Sequence, residues 1–254
     1  MKRADLVAAL YDSRRRSQLF AGDDVTLGLD EGLGIQLEVA DRFETAGDPV
    51  GGWKVGMTSG RSHDRMGEGF RPHGYVLGSH LLESGAQLRR DDLVNPALEP
   101  ELCLILGAPL AGSPSRDQAR AAVAAVAPAF ELVELRLPGG GGADPGLLVA
   151  DGLANWGIVA GPAVPPPASL PAGLEVTLVR DDVEVARERA GETIVFDDPF
   201  LSLARLVALL SRSGRSLAAG QPVITGSFAN VMLDGPGRWR AEFSGVGAVK
   251  LDVV

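Results

Sequence analysis

The chain has 254 residues, 45% hydrophobic and 22% charged, a composition that excludes a disordered or fibrous protein and allows one large core with an appendage. A formal net charge of −9 argues against a nucleic-acid surface, which needs a basic stripe to release counterions, and no 18-residue apolar run offers a membrane span. Cys103 is the single cysteine, so an internal disulfide is excluded, and the polar residues after Met1 do not read as a signal-peptide core; a cytoplasmic location is expected.

In chain order, residues 3–20 read as a helix, and a second runs from Asp30, its N-cap, to Ala46, with Ile35, Val39 and Phe43 at i, i+4, i+8. The run Arg14-Arg15-Arg16 is expected to be a solvated helix face or a contact to a neighbouring subunit. After Gly51-Gly52 the texture changes to short β-rich stretches punctuated by Gly and Pro, which separates a helical N-terminal segment, 1–50, from a sheet-based body, 51–254. Within the body, 115–127 reads as a helix capped by Ser113 or Ser115 and ended by Pro128, and 199–213 as another, stopped at Gly214. Residues 138–146, with four consecutive glycines, read as a surface loop, an active-site lid being the alternative; 162–173, with three consecutive prolines, read as a stiffer connector. Residues 223–227 and 246–254 alternate like closing strands.

Chemistry concentrates in Glu99-Pro100-Glu101, at the head of the apolar run 102–106. Strand side chains two apart share a face, roughly 6.5–7 Å from each other, so both carboxylates look the same way and call for a cation between them. Glu131 or Glu134 could complete a three-carboxylate site of the kind hard divalent cations accept. The competing reading is a pair of solvent-facing acids on an edge strand marked by Pro100. Lys54, in Gly52-Trp53-Lys54-Val55-Gly56-Met57, lies among apolar residues and glycines, where it could balance an anionic substrate or move a proton; the alternative is a lysine snorkelling from an edge. If it serves chemistry alone, Lys54→Met should keep its melting temperature. His63, His73 and His80 are the only histidines, and His73 reads as a turn residue between strands. With no G-x-S-x-G and no H-E-x-x-H, covalent hydrolysis and catalytic zinc find no support.

Taken in order, Ile35-Gln36, Gly52-Trp53-Lys54-Val55-Gly56-Met57-Thr58-Ser59, Glu99-x-Glu101, Pro128-Ala129-Phe130-Glu131, Val149-Ala150-Asp151 with Gly157, Ile224-Thr225-Gly226-Ser227-Phe228 and Phe243-Ser244-Gly245-Val246-Gly247 resemble the 2-keto-4-pentenoate hydratase and 4-oxalocrotonate decarboxylase family of the fumarylacetoacetate hydrolase superfamily. The resemblance implies an α+β fold, a mixed β-roll body with a helical N-terminal segment, in a homo-oligomer. It implies that Glu99, Glu101 and Glu131 bind Mg²⁺ or Mn²⁺, that Lys54 acts in the site, and that Asp151, Thr225 and Ser227 face a small 2-oxo or 2-hydroxy acid; no nucleic acid or membrane partner is expected. The implied reaction is hydration of a 2-hydroxy-2,4-dienoate to a 4-hydroxy-2-oxo acid, with 4-oxalocrotonate-type decarboxylation, acylpyruvate-type carbon–carbon hydrolysis and a non-catalytic role as alternatives. Two segments depart from the family pattern. His73-Gly74-Tyr75 stands where an Asp-Phe-Gly or Asp-Tyr-Gly is usual, which makes His73 the candidate for proton transfer, with a rate inflection expected at about pH 5.5–7.5. Asp151-Gly152-Leu153-Ala154 replaces Asp-Asn-Ala-Ser, and Leu153 with Trp156 points to a larger or less polar substrate tail.

Overall fold

The computed structural model describes residues 1–22, 25–167, 170 and 172–254, so the connector 162–173 lies partly outside the described residues. Helices α1 (Arg3–Arg15) and α2 (Leu29–Thr45) precede β1 (Val50–Val55), β2 (His73–Leu77), β3 (Leu81–Glu83), β4 (Ala86–Leu88) and β5 (Pro96–Leu106). Helix α3 (Arg116–Ala122) leads into β6 (Val123–Glu134), then α4 (Pro145–Ala150), β7 (Asn155–Ala160), β8 (Glu175–Arg180), β9 (Val183–Arg189) and α5 (Pro199–Arg212). The strands β10 (Pro222–Ser227), β11 (Val231–Met232), β12 (Gly237–Phe243) and β13 (Gly247–Val253) complete the order.

Eight strands make one mixed sheet, β2-β1-β10-β5-β6-β7-β3 with β11 also on β5, and five make a second, β4-β13-β12-β8-β9. The first sheet curls into a roll in which β2 comes against β7. Its inner face carries a separate apolar cluster of small and medium side chains, Val76, Cys103, Ala127, Ala129, Ile158 and Ile224, as a narrow interior requires. Trp53, Val55, Tyr75 and Leu77 belong instead to the main core, and α2 lies across β2 with Ile35, Val39 and Phe43 buried at the spacing read from the sequence. Helix α5 starts with Pro199 after Asp198, whose carboxylate accepts from the backbone N–H of Phe200 and Leu201, the cap-then-proline order that suits a helix start.

Several sequence expectations need correction. Helix α1 stops at Arg15, and α2 begins after Gly28 with no side-chain cap, leaving Asp30 within its first turn. Helix α3 has the expected Ser115 cap, reciprocated by Gln118, but ends at Ala122; Val123 opens β6, and Pro128 sits inside that strand. Alanine-rich residues 123–127 form strand because they pair with β5 along a continuous ladder, and tertiary pairing outweighs propensity. Arg14 is not solvated: it is buried, donates to the Asn155 and Tyr75 carbonyls at 2.6 and 3.5 Å, and lies over the Tyr75 ring at 4.5 Å. Cys103 is a buried core residue, its thiol pushed up to about 12 by burial.

Candidate metal centre

Strand β5 is flanked by β10 and β6, so Pro100 does not mark an edge. Glu99 stands directly opposite Glu131 in the antiparallel β5–β6 register, and Glu101, two residues on, points to the same face. One oxygen from each of Glu99, Glu101 and Glu131 lies within 4.8 Å of the others. Lys54 reaches the same face through β10, because Lys54 pairs with Ile224 and Ile224 with Cys103. Its Nζ donates to Glu131 Oε1 at 2.5 Å, Asn155 Nδ2 donates to that same oxygen at 2.8 Å, and Asn230 Nδ2 donates to Glu99 Oε1 at 2.5 Å. Glu134, three residues past Glu131 on the strand, points away from the cluster and is salt-bridged to Arg136 at 2.5 Å.

A bulge aims the remaining donor. Between Ile224 and Ser227 β10 advances three residues while β5 advances two, and the extra residue turns the Gly226 N–H onto Glu101 Oε2 at 2.7 Å. Gly226 has φ +146°, and a Cβ there would meet Thr58 Oγ1 at 2.7 Å, so glycine is required twice over. Opposite Lys54 in β2, a Cβ on Gly74 would meet the Gly152 carbonyl at 2.4 Å and Lys54 Cγ at 2.9 Å; glycine clears the lane along which the lysine lies.

The electrostatics are those of an acid cluster short of positive charge. Burial and the Glu131 charge push Glu99 up to about 7, and burial, Glu131 and Glu99 hold Glu101 well above the usual carboxylate range. Burial alone would lower Lys54, but the attraction of Glu131, Glu99 and Glu101 outweighs it and raises the ammonium above its ordinary value. Glu131 Oε2 is buried with no partner among the described residues. Three carboxylates, one ammonium and an unsatisfied carboxylate oxygen fit a hard divalent cation.

The cluster opens into a cavity of about 910 Å³ whose walls include Met57, Ser59, Leu148, Leu153, Ser227 and Phe228. Leu153 and Ala154 both adopt left-handed backbone, φ +59° and +57°, and the Leu153 carbonyl so presented accepts from Lys54 Nζ at 3.4 Å. The loop after β1 is fastened over the cavity by Arg71, which pairs with Asp197 at 2.5 Å and Asp64 at 2.6 Å, while His63 contacts both acids. Gly141 of the glycine-rich stretch reaches the cavity wall as part of a short 3₁₀ turn.

Of the residues singled out from sequence, the fold brings together Lys54, Glu99, Glu101, Glu131 and Ser227. Thr225 points away across the bulge, its hydroxyl donating to the Leu102 carbonyl at 3.4 Å. Asp151 is buried outside the cavity, paired with Arg136 at 2.9 Å; Arg136 also holds Glu134, and Arg14 lies nearby. Removing one partner of such a buried pair leaves a bare charge, so Asp151→Ala is expected to cost about 3–5 kcal/mol in urea denaturation. A substrate role would instead raise KM and leave stability unchanged. Trp156 stacks on His80 at 3.9 Å rather than lining the cavity.

His73 is in strand β2, not a turn, and registers with Val55, the neighbour of Lys54 that faces the other way. Its ring meets Trp53 edge-on and Nδ1 bonds Gln36 Oε1 at 2.7 Å, beneath α2. None of the three histidines lines the cavity. Burial, with a smaller push from Arg215, lowers His73 to about 4 from 6.5, so the unfolded chain takes up the proton first. The resulting stability, roughly 3 kcal/mol, is present above pH 6.5 and lost as pH falls toward 4. Urea midpoints against pH should show that loss in the wild type and a flatter profile in His73→Gln, with turnover keeping its wild-type pH dependence.

Asn155, Asn230 and the Gly226 N–H were not singled out from sequence. Asn155 follows a segment read for its missing polar groups, and the Gly226 donor exists only through the bulge. No family model matches the chain. It is 28% identical to a 4-oxalocrotonate decarboxylase of a Pseudomonas species over 244 residues, 95% of this chain and 92% of that one. It is 26% identical to a 2-hydroxyhexa-2,4-dienoate hydratase of Comamonas testosteroni over 230 residues, 87% and 85% of the two. The structure of 4-oxalocrotonate decarboxylase from Pseudomonas putida G7, complexed with magnesium and adipate, superposes with TM-score 0.85 at 22% identity over 100% of this chain and 99% of that one. A candidate fumarylacetoacetate isomerase/hydrolase from Oleispira antarctica matches with TM-score 0.59 at 15% identity, over 80% and 92%. The chain is therefore similar in sequence to 4-oxalocrotonate decarboxylases and 2-keto-4-pentenoate hydratases, and it shares its fold with the solved decarboxylase and with the fumarylacetoacetate isomerase/hydrolase candidate.

Proposed function

We propose that this chain is a Mg²⁺-dependent lyase of short 2-oxo acids that hydrates a 2-hydroxy-2,4-dienoate to a 4-hydroxy-2-oxo acid. The observation that carries the proposal is the cluster of Glu99, Glu101 and Glu131, with its unpartnered Glu131 oxygen, at a cavity of substrate size. The solved decarboxylase of Pseudomonas putida G7 has been complexed with magnesium and with calcium, both oxygen-seeking cations; Mn²⁺ suits the same donors.

Glu99, Glu101 and Glu131 would hold the cation, which when bound supplies Lewis-acid polarisation of a 2-oxo or 2-hydroxy acid. Lys54 Nζ, fixed between Glu131 Oε1 and the Leu153 carbonyl, keeps a positive charge facing the cavity, where negative charge builds on a substrate oxygen as a proton moves. Asn155 and Lys54 together fix one Glu131 oxygen, leaving the other free to turn toward the cation. Leu148, Leu153 and Phe228 give the carbon chain an apolar wall and keep bulk water from it. Decarboxylation is a second reading, favoured by the 28% identity to a 4-oxalocrotonate decarboxylase across nearly the whole length of both chains. Carbon–carbon hydrolysis loses its candidate base, since His73 lies behind the sheet.

Incubation of the Mg²⁺-loaded protein with 2-hydroxypenta-2,4-dienoate and with 4-oxalocrotonate, with products identified by mass, tests the proposal: water gain supports hydration, CO₂ loss the second reading, and no product from either contradicts both. Metal affinity should also depend on pH. Because Glu99 sits at about 7 without metal, the cation displaces a proton there, and affinity should weaken as pH falls through that value. The sign for the metal-free protein is opposite, its raised carboxylates favouring the fold at low pH. Calorimetry in two buffers of different ionisation heat should register the released proton; affinity independent of pH between about 5.5 and 8 would contradict it. A cytoplasmic homo-oligomer completes the proposal, and light scattering checks the assembly; among the described residues no helix is long and apolar enough to cross a membrane.

A further inference from the structure

We infer that Arg14, from helix α1, is a positioning residue of the metal centre: through the Asn155 carbonyl it holds the segment 152–155 against Glu131 and Lys54. The inference rests on the cation site proposed above and adds to it a buried residue that lies outside the cavity. The segment needs holding, because Gly152, Leu153 and Ala154 follow one another at φ +77°, +59° and +57°, and neither Leu nor Ala favours left-handed backbone. Such strain persists only where the surroundings over-determine it. Here it presents two groups to the centre: the Leu153 carbonyl accepts from Lys54 Nζ at 3.4 Å, and Asn155 Nδ2 donates to Glu131 Oε1 at 2.8 Å.

Two buried arginines bracket that segment. On its N-terminal side Arg136 pairs with the Asp151 carboxylate at 2.9 Å and donates to the Asp151 carbonyl at 3.4 Å. At its end Arg14 Nη1 donates to the Asn155 carbonyl at 2.6 Å, while Nη2 reaches the Tyr75 carbonyl at 3.5 Å. Asn155 opens β7 and Tyr75 lies in β2, two strands that come together where the roll closes but share no ladder among the described residues. Strand edges without a ladder leave carbonyls to be satisfied, and one guanidinium, lying over the Tyr75 ring at 4.5 Å, satisfies one from each side.

The path from helix to metal ligand is short: Arg14 holds the Asn155 carbonyl, and the Asn155 side chain holds Glu131 Oε1. Through it the N-terminal helix becomes part of the framework of the site rather than an appendage to the body. Charge does not account for Arg14, since Arg136 alone is paired with both Glu134 and Asp151. What arginine supplies is the planar fork that spans two carbonyls; lysine carries the same charge without it.

The test is Mg²⁺ titration calorimetry of full-length Arg14→Met, Arg14→Lys, Asn155→Ala and the Arg14→Met/Asn155→Ala double variant, each well below its melting temperature. Groups that orient a metal ligand typically carry about 10- to 100-fold in affinity, so Asn155→Ala should fall in that range and Arg14→Met should lose about 10-fold. The double variant should bind within about 3-fold of Asn155→Ala, because both changes cut one path. Arg14→Lys should fall between Arg14→Met and the wild type, and it replaces Arg14→Met in the cycle if that variant does not fold. Leu10→Ala, which opens a cavity under the same helix, is the control: it should lower the melting temperature and leave Mg²⁺ affinity within about 3-fold of the wild type. Wild-type affinity in folded Arg14→Met, or in Arg14→Lys where that variant stands in, would overturn the assignment. So would losses that multiply in the double variant, or an equal loss in Leu10→Ala. A wild-type protein that binds no Mg²⁺ would overturn the cation site itself, and the role of Arg14 with it.

Discussion

Glu101→Gln is expected to reduce turnover by roughly 10³-fold or more, because the Lewis acid it helps to hold supplies several kcal/mol of the barrier reduction. The change is isosteric and removes one charge from a cluster whose members repel each other, so the metal-free variant should melt no lower than wild type near pH 8. Its signature is a split: the metal-free melting temperature holds, while the rise on adding Mg²⁺, visible in the wild type through mass action, disappears. Thermal melts with and without Mg²⁺, alongside the rate assay, read both halves. A variant that keeps both the Mg²⁺-induced rise and the rate would remove Glu101 from the site.

Lys54→Met should lose about 10²–10⁴-fold in rate, the scale of a positioned acid or charge. The sequence suggested that this variant would keep its melting temperature, because methionine retains the apolar stem. The geometry changes that expectation: the ammonium is buried at 2.5 Å from a fully buried Glu131, and stripping one partner from such a pair costs about 3–5 kcal/mol. Lys54→Met/Glu131→Gln, which removes both charges, should recover most of the stability and none of the activity, and a double-mutant cycle from urea denaturation isolates the coupling. Unchanged stability in Lys54→Met together with normal turnover would return the lysine to a spectator.

What could be read from the chain was whatever depends on alternation and on local pairs of residues. Glu99 and Glu101 share a face because strands alternate, and Glu131 joins them because the β5–β6 ladder sets it opposite Glu99; motif order anticipated that choice, whereas pattern alone left Glu134 open. What could not be read depends on register and on the side of the sheet. His73 and Lys54 lie on neighbouring strands yet face opposite sides, because Lys54 registers with Gly74 and His73 with Val55. Asp151 stood in a motif that the resemblance placed at the substrate, but its charge is taken up by Arg136, a partner that the fold brings to it in a buried ion cluster. Arg14 looked like one of three solvated arginines until α1 was laid against Tyr75 and Asn155. The helix expected to reach residue 127 was cut at Ala122 by a long-range ladder that no local propensity records.

Anomalous diffraction from crystals soaked in Mn²⁺ tests most directly whether Glu99, Glu101 and Glu131 make one divalent-cation centre. The expected result is a single strong peak per chain among those three carboxylates, absent from Glu131→Gln crystals soaked in the same way. A peak elsewhere in the chain, or an active enzyme with no Mn²⁺ bound among the three glutamates, would contradict it.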